Sequence, residues 1–509
     1  MPLDVPGDRW WRHAVVYQIY PRSFCDTTGN GVGDLAGIRR HLGHIADLGV
    51  DAIWISPVFT SPMVDHGYDV ADYCDIDPLF GDLADFDRLL ADAHELGLRV
   101  LLDWVPSHTS DRHPWFLESR SSRDNPKRDW YIWVDGEPTT PPNAWTAQFP
   151  EGPAWTWDPT TGAWYLRHFT PEQPDLDWSN PQVRAAMHDT LRFWLDRGVD
   201  GFRMDVIHLI GKDRARVGTD ADDAINDELT HEYLREIRAL LDSYADDRVA
   251  VGEVFMFDID RAATFFGDDD ELHLLFNFEM VWAPWDAATF RRTIGRAQSA
   301  IEPRGAWPTW ALGNHDIPRL RTRYGSEAAA RAAAVALFTL RGTPFVYAGD
   351  ELGLSDPDVP PDRVEDPAGF RDGCRAPIPW DDTASHGWVR DDNWLPWPPE
   401  AADLAASRQM DDPSSTAGLY KRLLDLRRAT PALQRGEQDL IDTADPVVGW
   451  RRIADGEVVT TLVNFGDEPT SVEGYDHLDV LASSAGDGSE SGRPFAGALR
   501  ACEAVVLRG

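Results

Sequence analysis

The chain has 509 residues and a mass of 57.0 kDa, which is long enough for more than one domain with a sizeable core. Its hydrophobic content of 42% is normal for a globular protein, so intrinsic disorder is not expected. The formal net charge of -38 argues against nucleic acid and anionic membranes as partners, because binding to phosphate groups depends on Lys and Arg.

The amino terminus carries no basic segment followed by an apolar run, and no stretch approaches the roughly 20 apolar residues of a membrane span. We therefore expect a soluble, cytoplasmic protein that is a monomer or a small homo-oligomer. The cysteines are widely spaced and form no C-x-x-C pattern, which favours free thiols over disulfides or a zinc site. There are four of them: Cys25, Cys74, Cys374 and Cys502.

Apolar runs rich in β-forming residues alternate with amphipathic helical patterns through most of the chain. Predicted helices lie around residues 35–48, 86–97, 180–197, 226–244 and 416–428. The predicted strands are Val15–Tyr20, Asp51–Ser56, Arg99–Val105, Gly201–Val206, Ala250–Val254, Leu272–Phe278, Trp310–Asp316 and Thr343–Ala348. Eight strands alternating with helices predict an α/β fold, a closed (β/α)8 TIM barrel, with the site at the carboxyl ends of the strands.

This alternation is interrupted once and ends before the chain does. Residues 106–173 cluster Pro, Gly, Trp and charged residues without a helical period, over a length too great for a plain loop. Near the carboxyl terminus, short apolar strands are separated by Asp-Gly and Gly-Asp turns. We therefore predict a catalytic barrel of residues 1–105 and 174–431, an inserted irregular subdomain of residues 106–173, and a C-terminal β-sandwich of residues 432–509.

Charged side chains follow three of the predicted strands. Arg203 and Asp205 close the fourth strand, Glu253 closes the fifth, and the pair His315 and Asp316 closes the seventh. An isolated Arg-x-Asp is more often a structural ion pair than a functional site. Three acids at the ends of three strands, with an Arg and a His among them, instead indicate a carboxylate-driven active site at a barrel mouth.

Five motifs in a fixed order give a more specific indication. They are Asp103 to His108, Gln173 to Asp177, Gly201 to Val206, Gly252 to Val254, and Asn314 to Asp316. With these motifs the chain resembles the α-amylase superfamily, glycoside hydrolase family 13, in its α-glucosidase and oligo-1,6-glucosidase branch. The resemblance covers nearly the whole chain.

The resemblance implies a role for each charged residue of the strand ends. Asp205 resembles the nucleophile, Glu253 the general acid and base, and Asp316 the third acid, which binds sugar hydroxyls. Retaining hydrolysis independently requires two carboxyl groups about 5 Å apart, one ionised and one protonated. We expect Arg203 to keep Asp205 ionised, since an opposite charge favours the charged form.

Further residues are implied to bind the same glucose. His108 and His315 resemble its hydrogen-bond partners, although either is otherwise more typical of a buried core histidine. Asp65 and Tyr68 resemble the residues at the closed end of the pocket. Arg375 resembles an Arg that reaches back to this subsite, from a stretch that alone would be read as a solvent loop. A closed pocket implies exo action on short substrates.

The loop from Asp26 to Asp34 alternates oxygen-bearing residues with glycines, a pattern that suits a hard cation. The resemblance implies a structural Ca²⁺ or Mg²⁺ there, held by Asp26, Thr28, Asn30, Asp34 and the carbonyl of Val32. Thr28 and Asn30 replace residues that are commonly Asn and Asp, so a metal-free turn is the alternative. No cofactor is expected for the chemistry itself.

The sequence predicts an exo-acting, retaining α-glucosidase for short α-glucosides of the maltose or isomaltose type. One alternative is a transglucosylase or isomerase of the same branch, of the sucrose isomerase or trehalose synthase type. Another is a non-catalytic binding barrel, which the retained acids disfavour. Val206, next to the predicted nucleophile, favours α-1,6 over α-1,4 linkages, a bias of only about 1 to 3 kcal/mol.

Overall fold

The structure is a computed structural model that describes residues 9–217 and 223–509. Eight parallel strands form its central sheet. They are Val16–Ile19, Ala52–Ile55, Arg99–Trp104, Gly201–Met204, Val249–Gly252, Leu274–Leu275, Thr309–Ala311 and Thr343–Tyr347. Counted along the chain, their hydrogen-bonded order is sixth, fifth, fourth, third, second, first, eighth and seventh. This is the order of a (β/α)8 barrel, so the predicted fold class is confirmed.

Inward-facing side chains fill the centre of the sheet. Residues from seven of the eight strands pack in one buried cluster that includes Val16, Trp54, Leu101, Leu274 and Ala311. The sixth and seventh strands, at the two ends of the hydrogen-bonded order, both contribute to it. A shared interior explains why the strands read as continuous apolar runs in the sequence.

Helices pack outside the strands. Their bounds are Leu35–Arg40, Leu42–Leu48, Leu83–Glu95, Pro114–Ser121, Pro181–Arg197, Asp227–Asp242, Ile259–Ala262, Phe278–Val281, Ala287–Ile301, Leu320–Tyr324, Glu327–Thr339, Ala406–Gln409, Thr416–Ala429 and Pro431–Arg435. Among the described helices, none combines the length and the apolar character that crossing a membrane requires. All four cysteines are free, as predicted.

The predictions for the fourth, fifth, sixth and seventh strands each extend two or more residues too far at the carboxyl end. The sixth strand ends at Leu275, because the Asn277 side chain accepts a hydrogen bond from the Met280 amide and caps a helix that begins at Phe278. The seventh ends at Ala311, so His315 and Asp316 lie on the loop that follows it. Asp205 and Glu253 each come directly after the last residue of their strand.

Antiparallel sheets lie in the two segments where the alternation fails. Strands Trp133–Asp135, Ala163–Leu166 and Trp155–Asp158 form one small sheet in the inserted segment. A further antiparallel pair, Phe59–Thr60 with Asp72–Ile76, lies in the loop after the second barrel strand. The carboxyl-terminal sheet has the order Glu437–Ile441, Val447–Ala454, Glu457–Asn464, Ala504–Arg508 and Asp479–Ser483, beside the pair Thr470–Ser471 and Ala498–Leu499. The all-β carboxyl-terminal part is therefore confirmed, and the exact domain bounds stay a prediction.

Candidate active site

A cavity of about 470 Å³ opens at the carboxyl ends of the barrel strands. All three predicted catalytic acids, Asp205, Glu253 and Asp316, line it. So do four of the six predicted substrate-binding residues: Asp65, Tyr68, His108 and His315. The fold thus collects side chains from distant parts of the sequence at one end of the barrel, where a TIM barrel carries its active site.

Arg203 joins two of the three acids from behind the cavity. One terminal nitrogen, Nη1, donates to Asp205 Oδ1 at 2.7 Å and to Asp103 Oδ1 at 2.8 Å. The other, Nη2, lies 2.8 Å from Glu253 Oε2, which also accepts a hydrogen bond from the Val206 amide at 2.9 Å. Asp205 and Glu253 are therefore neighbours that share one buried guanidinium.

This sharing determines the charge state of the acids. Burial raises the pKa of Asp205 well above its usual range, and the Glu253 and Asp103 carboxylates raise it further, while Arg203 opposes them. Burial likewise raises the pKa of Asp103 to about 6. The expectation that Arg203 keeps Asp205 ionised therefore stays a prediction, because one cation faces three buried carboxyl groups.

Asp316 lies in the opposite electrostatic environment. Its Oδ1 accepts hydrogen bonds from Arg371 at 3.2 Å and from Arg375 at 3.1 Å. Although burial raises the pKa of Asp316, the adjacent His315 and these guanidinium groups outweigh burial and hold it below the usual range. Asp316 is therefore the ionised acid of the site, suited to accept hydrogen bonds from sugar hydroxyls.

His315 is held in a hydrogen-bonded chain beneath the cavity. Its Nδ1 lies 2.7 Å from Gln18 Nε2, and its Nε2 lies 2.7 Å from the Tyr68 hydroxyl, which donates to Asp103 at 3.1 Å. Burial lowers the pKa of His315 to about 3, so the ring is neutral near pH 7. Since the Gln18 amide donates to Nδ1, the network assigns the proton to Nε2.

His108 occupies a similar buried position. Its Nε2 lies 3.1 Å from the Tyr68 carbonyl and 3.1 Å from Gln173 Nε2. Burial lowers its pKa to about 4. Both histidines can therefore offer a neutral ring to a ligand.

The closed end of the cavity is formed by Asp65 and an arginine that sequence reasoning missed. Arg371 Nη2 donates to Asp65 Oδ1 at 2.9 Å, and Arg371 Nε donates to Asp366 at 2.8 Å. Arg375, the predicted binding residue, does not line this cavity. It is fully buried and donates to the His315 carbonyl at 2.8 Å, so it contacts Asp316 from behind.

Comparison with known proteins identifies the arrangement. Residues 18–436 match the model of the alpha amylase catalytic domain. The chain belongs to the alpha-amylase family. It is a glycoside hydrolase of family 13, in the branch of the α-glucosidases and oligo-1,6-glucosidases.

Relatives of this alpha-amylase-family enzyme match along almost their full length. A probable alpha-glucosidase of Rhizobium meliloti (strain 1021) is 42% identical, with 92% of this chain and 91% of the relative covered. An oligo-1,6-glucosidase of Parageobacillus thermoglucosidasius is 36% identical, with 92% of each chain covered. The crystal structure of an alpha-glucosyl transfer enzyme, XgtA, superposes with a TM-score of 0.90 at 39% identity, covering 99% of this chain and 100% of that one.

The alpha-amylase-family loop predicted to bind a metal is closed by its own hydrogen bonds. Asp26 accepts from the backbone amides of Thr28, Gly29 and Gly31, and Asn30 accepts from the Val32 amide. Both Asp34 oxygens also accept hydrogen bonds, from the Thr27 amide and hydroxyl and from the Gly37 amide.

A calcium ion takes six to eight oxygen ligands. Within residues 9–217 and 223–509, no group of three or more His, Cys, Asp or Glu side chains could hold a metal ion. These residues fit a self-closed turn rather than a cation cage. The predicted Ca²⁺ or Mg²⁺ is not confirmed.

Proposed function

We propose that the protein is an exo-acting, retaining α-glucosidase that hydrolyses the terminal non-reducing α-glucosidic bond of short α-glucosides. The observation that carries the proposal is the pairing of Asp205 and Glu253 on the Arg203 guanidinium, at a cavity closed by Asp65 and Arg371. A close pair of carboxyl groups is what a retaining mechanism uses, whereas an inverting one needs room for a water between them.

Each acid then has a separate role. Asp205 attacks the anomeric carbon and forms a covalent glucosyl-enzyme, while Glu253 protonates the departing glycosidic oxygen. Glu253 then takes a proton from water, which displaces Asp205 and releases glucose. In this assignment Asp205 attacks as a carboxylate and Glu253 carries the proton that it donates, which is the division of roles that a retaining mechanism requires. Asp316, held ionised, binds the ring hydroxyls.

The closed end supports exo action on one terminal glucose. Asp65 accepts hydrogen bonds from Arg371 and from Gln173 Nε2 at 3.2 Å, so this wall is a continuous polar network. Asp65 and Arg371 together can accept from and donate to the hydroxyls farthest from the scissile bond. With the cavity closed at this end, a longer glucan chain would enter only by its non-reducing end.

Two experiments test the proposal. Proton NMR of the glucose first released from methyl α-glucoside, whose leaving group is methanol, should show the α-anomer, since two displacements retain configuration; initial β-glucose would refute the retaining mechanism. In the variant Asp205→Ala, hydrolysis should fall by at least about 10³-fold, and azide should restore turnover of an activated glucoside as β-glucosyl azide. Asp189→Ala, which removes an exposed acid on a helix outside the barrel, is the control and should keep full activity.

Glucosyl transfer is a second candidate, favoured by the 39% identical α-glucosyl transfer enzyme and by an aromatic outer part of the cavity. Transfer differs from hydrolysis only in whether a hydroxyl compound or water attacks the glucosyl-enzyme. Product analysis at high substrate concentration separates the two. Glucose as the dominant product supports hydrolysis, whereas larger or rearranged glucosides that dominate would make the protein a transferase or isomerase.

A further inference from the structure

A second cavity, of about 20 Å³, lies at the opposite end of the barrel from the active site. Its walls come from three segments, residues 9–12, 266–273 and 304–307, and we call it the base cavity. These segments come shortly before the first, the sixth and the seventh strands of the barrel, respectively. The amino ends of the strands meet at the base of a (β/α)8 barrel, away from its catalytic end.

Three arginines line the base cavity: Arg9, Arg12 and Arg304. Arg9 pairs with the exposed Asp247 at 3.0 Å, whereas Arg12 and Arg304 make no ion pair with any carboxylate of residues 9–217 and 223–509. Asp269 is the single acid among the described lining residues, and its side chain is 73% exposed. The base cavity is therefore a locally positive region on a protein whose net charge is -38.

Two buried side chains of the base cavity carry N–H groups that lack an acceptor among the described residues. The first is Trp307, which is 6% exposed and whose indole nitrogen can only donate. The second is His273, whose Nδ1 accepts a hydrogen bond from the Ala250 amide at 3.0 Å, so that the proton lies on Nε2. The Asp242 carboxylate is 4.0 Å from this Nε2, beyond hydrogen-bonding distance.

Buried N–H groups without an acceptor are rare in folded proteins, because a donor that has lost its water destabilises the fold. Burial also holds the pKa of His273 well below its usual range, so the ring is neutral and keeps one N–H. Both rings line the base cavity, so an acceptor seated there can pair with these donors.

The chemistry of the lining favours a small oxyanion as that acceptor. Guanidinium, indole and neutral imidazole N–H groups are donors, so the ligand must bring negative charge and several acceptor atoms. Phosphate carries oxygens in four directions, which suits donors that come from three separate segments. The volume exceeds the roughly 10–15 Å³ that a single water requires, and it is far below the 470 Å³ of the catalytic cavity. A sugar is therefore excluded.

We propose that the base cavity binds one small inorganic oxyanion of the phosphate class through Arg12, Arg304, Trp307 and His273. The sixth and seventh strands are the two ends of the hydrogen-bonded order of the barrel. An anion held between the segments that precede them bridges this seam and stabilises the base of the barrel. The site is remote from the catalytic acids, and the proposal does not depend on the proposed α-glucosidase activity.

The test is equilibrium dialysis of the whole protein against radiolabelled inorganic phosphate, at an ionic strength held constant with sodium chloride. We expect saturable binding of one phosphate per chain. Glucose at high concentration should not displace the label, because the base cavity is separate from the catalytic one. Displacement by glucose would place the phosphate in the catalytic cavity and overturn the proposal.

Three variants test the donors. Arg12→Gln and Arg304→Gln should each weaken phosphate binding at least about tenfold, because each removes charged hydrogen bonds. Trp307→Phe keeps a ring and removes the indole N–H, and it should weaken binding about threefold or more. Arg292→Gln is the matched control, since Arg292 is an exposed arginine that donates to Thr289 and does not line the base cavity. Its affinity for phosphate should equal that of the wild type.

Thermal unfolding provides a second readout. A ligand that binds only the folded state stabilises it, so saturating phosphate should raise the unfolding midpoint of the wild type by at least about 1 °C. The exposed Arg304 can be replaced without disturbing the fold, and Arg304→Gln should keep the wild-type circular dichroism but lose this increase. The proposal is overturned if the wild type shows no saturable binding, if the three cavity variants bind as tightly as the wild type, or if Arg292→Gln weakens binding equally.

Discussion

Arg371 and Asp65 are separated by 306 residues in the sequence and joined by a hydrogen bond of 2.9 Å. The pair closes the cavity only when the loop after the eighth strand folds over the loop after the second. Because both groups are buried, the ion pair stabilises the closed site only when both partners make all of their hydrogen bonds. We expect Arg371→Lys to lower kcat/KM for isomaltose by about 100-fold, because a Lys ammonium cannot donate the paired hydrogen bonds that the planar guanidinium makes.

Thermal unfolding of Arg371→Lys shows whether the loss is local to the site. Arg390→Lys is the control, because Arg390 is an exposed arginine of the same long loop that pairs with Asp392. Its kcat/KM should match that of the wild type. A loss below about fivefold in a folded Arg371→Lys protein would contradict the role of Arg371 in closing the site.

The position of Arg371 shows what the sequence can and cannot predict about the site. Asp205 and Glu253 follow strands whose apolar runs are plain in the sequence, so their convergence at one end of the barrel could be predicted. Arg371 and Arg375 lie on an irregular loop, and only tertiary contacts decide which guanidinium points into the cavity. A loop has no periodicity from which that direction could be read.

The secondary structure, like the site, contains parts that the sequence predicts and parts that it does not. Strands buried on both faces, such as Ala52–Ile55, were predicted to within a residue at each end, because parallel strands read as continuous apolar runs. The apolar run from Leu272 to Phe278 was wrongly predicted to be a single strand, because a short apolar run is compatible with a strand and with the start of a helix. Asn277 holds the signal that was missed: its side chain caps the helix that begins at Phe278.

Glu253→Gln should reduce turnover in a way that depends on the leaving group. The variant keeps an oxygen for the Val206 amide but has no proton to give to the departing oxygen. For maltose or isomaltose we expect kcat to fall by about 10³-fold, and for an aryl glucoside of a strongly acidic phenol by less than about tenfold. Glu151→Gln alters another carboxylate of the same cavity and should affect both substrates alike. Equal losses for Glu253→Gln would contradict its role as the acid.

Val206 provides a test of linkage preference. It lies in left-handed backbone at φ 35°, lines the cavity, and donates its amide hydrogen to Glu253. Val206→Thr keeps the β-branched shape and adds one hydroxyl toward the leaving group. We expect the ratio of kcat/KM for isomaltose to that for maltose to fall roughly tenfold. Val206→Ala adds no hydroxyl and should leave the ratio near the wild-type value. An unchanged ratio in the Thr variant would show that Val206 does not determine the linkage preference.

Phosphorylated disaccharides should be poor substrates. Among the described residues that line the cavity, Arg371 is the single cation, and Asp65, Asp316 and Asp366 already engage it. A phosphate dianion would find no unengaged cation among these residues. The net charge of -38 on the protein would also repel it. We expect kcat/KM for trehalose 6-phosphate to be at least about tenfold below that for trehalose. Gln148→Arg, which adds a cation to the lining, should narrow this gap; equal rates on both sugars in the wild type would contradict the argument.

His113 makes stability depend on pH. It caps the helix Pro114–Ser121 by accepting a hydrogen bond from the Trp115 amide at 3.1 Å, and burial lowers its pKa to about 3. The unfolded chain binds a proton there below about pH 6.5, while the folded chain does not until about pH 3. This histidine therefore lowers the free energy of unfolding by roughly 1.4 kcal/mol for each pH unit below 6.5.

His113→Asn keeps a side chain that can cap the helix and removes the titrating ring. Thermal unfolding midpoints measured from pH 7 to pH 4.5 should therefore fall less steeply for the variant than for the wild type. The exposed His477 offers the matched control, since His477→Asn should retain the wild-type slope. Parallel curves for His113→Asn and the wild type would mean that the ring is already protonated in the folded protein, which its burial and its acceptor role toward Trp115 both oppose.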